Sequence, residues 1–178
     1  PKPWPPSGSR RELFNELLRR DFIPAPTVMV RTDLMKAAGG YDPDLTFEDY
    51  DMWLRLARIH PFTVVNEPLV YNRTTPGSLG EALRNDIAKD YFPSLIRTLS
   101  KHYGMDQQTD DQLTDYLIHP AVRSYLAGMP AREVKGILLR YARRHRTPSA
   151  FALAGMAQAG FPGTFLQLFE RLKRVIRR

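Results

Sequence analysis

The chain has 178 residues, enough for one domain or a small domain with a helical extension, and its 43% apolar content can fill a core, which excludes a disordered tail. It has no cysteine, so neither a disulfide framework nor a thiolate metal site is possible, a usage compatible with a reducing cytoplasm. The net charge of +7 is unevenly placed: residues 1–100 carry 13 basic and 13 acidic side chains, residues 101–178 carry 13 and 6, so all the excess basicity is in the second part.

No apolar run approaches the roughly 18 residues a bilayer span needs, and the N-terminus has no signal-peptide pattern. A start at Pro1 rather than methionine points to a fragment or a processed chain. Four prolines within Pro1–Gly8 predict an extended segment or linker. Ser9 and Glu12 form a capping box for a helix ending near Arg20, with Leu13, Phe14, Leu17 and Leu18 as its apolar stripe. Pro24 and Pro26 before Thr27-Val28-Met29-Val30 read as a loop entering a short strand. Thr32 caps a short helix through Ala38, stopped by Gly39.

A second helix follows with Glu48, Asp49 and Asp51 in its first turns, where the helix dipole favours negative charge, and with Tyr50, Trp53, Leu54 and Ala57 at helical spacing. Thr46 and Asp49 come close to a capping box, so the acidic tip has a purely structural reading as well as a functional one. Phe62 to Tyr71 is rich in β-branched and aromatic residues and predicts one strand, or two broken at Pro68; Arg73 to Gly80 reads as a turn-forming loop.

From Glu81 onward only helices are expected. Glu81 to His102 is a long one kinked or broken at Pro93, followed by Asp110–Ile118, Ala131–Arg144 and Ser149–Gln158, punctuated by Pro120, Pro130 and Pro148. Residues 165–176 place Phe165, Leu168, Phe169, Leu172, Val175 and Ile176 on one face of a last, basic helix. Such a helix suits an anionic membrane surface or a place on the core with its basic side solvated. Arg140, Arg143, Arg144, His145 and Arg146 form a second positive cluster. The four histidines have no zinc-like spacing.

Four strings, Asn15–Arg31 (NELLRRDFIPAPTVMVR), Gly39–Asp42 (GGYD), Glu48–Arg55 (EDYDMWLR) and Pro68–Ser78 (PLVYNRTTPGS), occur in the order and at the approximate spacings found in family 2 glycosyltransferases. Residues 21–78 thus resemble the second half of the catalytic domain of these inverting enzymes. The resemblance implies an α/β, mainly helical chain. Residues 1–80 would be the acceptor-side half of a GT-A fold with a few β-strands, and residues 81–178 an all-α basic extension. It implies transfer from a nucleotide sugar to a saccharide or lipid-linked acceptor in bacterial envelope polysaccharide synthesis, in the cytoplasm or peripherally at the inner face of the plasma membrane.

By the same resemblance Asp49 is the general base and Glu48 orients the acceptor, while Asp51 is scaffold. Arg73 lies where a basic group meets the leaving diphosphate, Trp53 is core with an edge toward substrate, and Arg55 partners a carboxylate. Asp42-Pro43-Asp44 and Asp49-Tyr50-Asp51 lie inside the acceptor-side motif and do not supply the family's cation-holding Asp-x-Asp. The chain is therefore expected to hold no cofactor and to be inactive alone, with Mg²⁺ or Mn²⁺ belonging to the intact enzyme. The competing expectation is a non-catalytic binding module whose basic helices meet an anionic membrane, through residues 164–178, or nucleic acid. Nucleic acid fits less well, because aromatic residues are not interleaved with the basic ones.

Overall fold

The computed structural model describes residues 10–71, 73, 75–78, 89, 91–146 and 148–163. Among them are seven α-helices, one short 3₁₀ turn and no strand. The chain divides into two units, Pro1–Ser78 and Leu79–Arg178.

In the first unit, helix α1 (Arg10–Arg19) buries Leu13, Phe14, Leu17 and Leu18, the stripe read from the sequence. Each such side chain contributes roughly 1.5–3 kcal/mol relative to exposure. It packs on α3 (Glu48–Ala57), which buries Tyr50, Met52, Trp53, Leu54, Leu56 and Ala57. The Tyr50 hydroxyl donates to the Leu17 carbonyl and joins the two helices. Between them, α2 (Thr32–Ala37) starts one residue after Arg31, with Thr32 as its first helical residue. It ends in a Schellman motif. Gly39 (φ 86°) and Gly40 (φ 72°) take the left-handed conformation, and their N–H groups bond to the Lys36 and Met35 carbonyls, both at 3.0 Å.

The expected β-strands are absent, and with them the α/β class: the described part of the chain is helical. Residues Ala25–Thr27 form a 3₁₀ turn where Pro24 and Pro26 restrict the backbone, and Met29 beyond it is 99% exposed. Residues 61–71 form no regular element and no backbone–backbone hydrogen bond among the described residues. Val64, Val65, Leu69, Val70 and Tyr71 are exposed. β-Propensity reflects fit to a half-buried pleated surface, and no neighbouring strand supplies one here. The loop after it does turn, with Gly77 at φ 73° and the Ser78 N–H bonded to the Thr75 carbonyl at 3.2 Å.

In the second unit, α4 (Phe92–Ser100), α5 (Gln107–Leu126), α6 (Ala131–His145) and α7 (Pro148–Gln158) each pack on the next. Pro93 lies in the first turn of α4, where a missing N–H costs least. Most of the preceding stretch, including 81–88, lies outside the described residues, as do Pro1–Gly8 and the last helix expected over 164–178.

Helix α5 overturns the Asp110–Ile118 boundaries at both ends. Asp106 caps it, its carboxylate accepting the Thr109 N–H at 2.8 Å, and Pro120 sits inside rather than ending it. An internal proline costs about 3 kcal/mol. Burial of Leu113, Leu117, Ala121 and Tyr125 along the same helix offsets it.

Candidate functional site

The acidic start of α3 is held in place from both sides. Ahead of it the Asp42 carboxylate accepts the Asp44 N–H at 3.0 Å, tightening the turn that leads from Gly40 to buried Leu45. The helix's N-cap is Phe47, whose side chain makes no cap, so the capping box expected of Thr46 and Asp49 does not define this terminus.

Behind the acidic start, Arg55 acts as a clamp. Its Nε donates to fully buried Asp51 at 2.8 Å, while its two terminal nitrogens donate to the Ala38 carbonyl and, at 2.8 Å, to the Gly40 carbonyl. The guanidinium thereby satisfies the orphan carbonyls at the end of α2 and ties that end to α3. Arg55 and Asp51 are scaffold, in keeping with the carboxylate pairing expected from the sequence.

Glu48 is exposed and Asp49 half-buried. Asp49 Oδ1 accepts the Tyr50 N–H at 2.7 Å, which fixes the carboxylate at the helix start. Trp53 lies one turn further along the same side. It is 2% exposed, and its indole N–H is buried with no hydrogen-bond partner among the described residues. Little of the Trp53 edge is therefore open to a ligand. Arg73 is exposed, and no hydrogen bond or ion pair among the described residues joins it to α3.

A residue inside the string Asn15–Arg31 but outside the expected site joins it. Asp21 follows α1 and reaches solvent, yet enough protein surrounds its carboxyl to push it up to about 6. Desolvation is the main cause and the negative charge of Asp49 the second; the Ile23 N–H, bonded to Asp21, acts in the opposite direction. Asp21 and Asp49 are 28 positions apart in sequence, so only the packing of α1 on α3 makes them neighbours in charge. Asp21 lies in the string Asn15–Arg31, just past the apolar stripe of α1, but nothing in that string sets its carboxyl apart.

Chemically, the arrangement is two interacting carboxyl groups, one half-buried at a helix start and one that holds a proton into the mildly acidic range. Such a pair of groups can take up and release a proton. No group of three or more His, Cys, Asp or Glu among the described residues is placed to hold a metal ion.

Three members of the second positive cluster are paired with aspartates of α5. Arg140 pairs with Asp110 at 3.3 Å, Arg144 with Asp111 and, at 3.3 Å, with Asp115, and His145 with Asp115 at 2.7 Å. Arg140 also lies over the Tyr103 ring, 4.5 Å from its centroid. These cations bind α6 to α5 and are largely neutralised there.

No protein-family model, curated protein or solved structure matches the chain. The glycosyltransferase resemblance rests on its four sequence strings.

Proposed function

We propose that the chain is part of an inverting, nucleotide-sugar-dependent glycosyltransferase and that Asp49 is its general base. The observation that supports this reading best is the Asp21–Asp49 carboxyl couple at the start of α3, which turns an acidic helix tip into a pair with acid–base character.

In the transfer, the acceptor hydroxyl oxygen forms a bond to the anomeric carbon while Asp49 takes its proton. The bond from that carbon to the nucleotide diphosphate breaks, and the diphosphate leaves with the electron pair on the opposite face. Taking the proton neutralises Asp49, which removes the second of the two causes that raise Asp21, after desolvation. Glu48, exposed beside Asp49, accepts hydrogen bonds from acceptor hydroxyls. Arg73 offers a guanidinium to the departing diphosphate.

The acceptor is a saccharide or a lipid-linked saccharide, and the work is done at the inner face of a plasma membrane. No helix among the described residues is long and apolar enough to cross a membrane.

The test uses the polypeptide of the complete reading frame alongside these 178 residues, with a panel of nucleotide sugars and glycan acceptors. The complete polypeptide is expected to turn over and the 178 residues alone to be inert. Asp49→Asn in the complete polypeptide should lower kcat by about 10²–10⁴-fold, the usual worth of a general base, with the donor KM little changed. Turnover at the parental rate in Asp49→Asn, or a complete polypeptide inert toward every donor, overturns the reading.

A further inference from the structure

The outer side of α6 carries cations that nothing in the described structure neutralises. Val134, Ile137, Leu138 and Ala142 turn its inner side into the core, and Arg140, Arg144 and His145 are committed to the aspartates of α5. Arg132, Lys135 and Arg143 lie along one exposed side of the helix at helical spacing, and Arg146 follows as the left-handed residue that ends it. All four are exposed. None of their charged groups makes a hydrogen bond or ion pair among the described residues. The only acid on α6, Glu133, is held by Arg97 of α4 at 2.7 Å. The row therefore presents four positive charges over about 21 Å, at 1.5 Å per residue, with no acid among them.

Helix α7 packs on α6 and has no charged residue. Its exposed positions include Phe151, Ala152 and Gly155, and exposed Phe161 follows shortly after its end. A helix with an exposed, uncharged face beside a helix with an unpaired cationic face has the two ingredients of interfacial membrane binding.

We infer that α6 and α7 form a docking surface for an anionic phospholipid membrane. Arg132, Lys135, Arg143 and Arg146 meet lipid phosphates, and Phe151 enters the boundary between headgroups and acyl chains. The surface is distinct from the basic segment 164–178 and does not depend on the sugar-transfer reading. Nucleic acid fits it less well: Gly136 and Leu139 are the other residues along the row, so it offers neither aromatic rings for base stacking nor amide or hydroxyl groups for base edges. A phosphate backbone also makes no use of Phe151.

The test is sedimentation of the whole chain with vesicles of phosphatidylcholine containing 30% phosphatidylglycerol, in about 0.1 M salt, against vesicles of phosphatidylcholine alone. At about the free energy that each surface Lys or Arg contributes, the triple variant Arg132→Gln, Lys135→Gln, Arg143→Gln should lose roughly a hundredfold in partitioning. Lys36→Gln with Arg58→Gln, which removes charge from the other unit, should change it by less than threefold. Phe151→Ser should weaken binding at high salt as well as low.

Because the charged groups of Arg132, Lys135 and Arg143 make no hydrogen bond or ion pair among the described residues, the circular dichroism melt of the triple variant should match the parent. Four results overturn the proposal: no preference for the anionic vesicles; retention by the triple variant; an equal loss in the Lys36/Arg58 control; or salt-dependent retention on duplex DNA without vesicle binding.

Discussion

Asp21 shows how one carboxyl can report on its neighbour. Its pKa is raised from 3.8 to about 6, so between those values the folded chain binds more protons than the unfolded one. Stability therefore falls as pH rises through that window, and the penalty is absent below it and complete above it. Asp21→Asn removes the penalty: its melting temperature should exceed the parent's at pH 7 and coincide with it at pH 4. A gap of the same size at both pH values contradicts the assignment. In a ¹³C titration, Asp49→Asn should move the Asp21 carboxyl toward the ordinary carboxylate range, since the Asp49 charge is the second cause of the shift. A titration of Asp21 that ignores Asp49 would separate the two carboxyls and remove the support for their joint role.

At the scale of elements, the start of α3 is positioned by a clamp rather than by a side-chain cap. Arg55 holds Asp51, which is 0% exposed, together with the two carbonyls that end α2. Arg55→Met would leave the Asp51 carboxylate buried without its cation, and urea unfolding should show a loss of roughly 3 kcal/mol. Replacing Asp51 by Leu in the same chain should recover most of that loss, because removing both partners removes the buried charge. A phosphate-binding Arg55 would instead leave stability nearly unchanged. Helix α5 makes the complementary point. A proline that local rules treat as a stop is carried through because the residues around it are buried along one long face.

At the scale of the whole molecule, the two units should answer acid in opposite ways. In the first, protonation of Asp21 below about pH 6 is stabilising. In the second, desolvation raises the Asp115 carboxyl, but hydrogen bonds from His145 and Arg144 outweigh it and hold the group below its ordinary value. Its contribution is present above the unfolded value and lost as pH falls through the lower folded one. Calorimetry from pH 6 down to pH 3 should therefore show one transition moving up between pH 6 and 4, and another moving down below about pH 4, near the unperturbed Asp value. Raising the salt to 1 M should weaken the second transition by little, since exposed pairs of this kind contribute at most about 1 kcal/mol each. A single transition with one pH response would mean that the units do not unfold separately.

The amphipathic stripe of α1, the acidic first turn of α3, the glycine stop after α2 and the bodies of α6 and α7 were legible in the sequence, because each depends on residues within a few positions of one another. The carboxylate pairing of Arg55 was legible for the same reason, as an i, i+4 neighbour of Asp51. Strands at 27–30 and 62–71 were not decidable this way, since a strand exists only with a partner that supplies its hydrogen bonds, and none stands beside them among the described residues. The helix running through Pro120, the pairing of the α6 cations with three aspartates on α5, and the meeting of Asp21 with Asp49 were decided by tertiary structure alone. In each, the energy that settles the matter comes from residues distant along the chain: burial against a neighbouring helix, a charge brought close in space, or a carboxyl desolvated by packing.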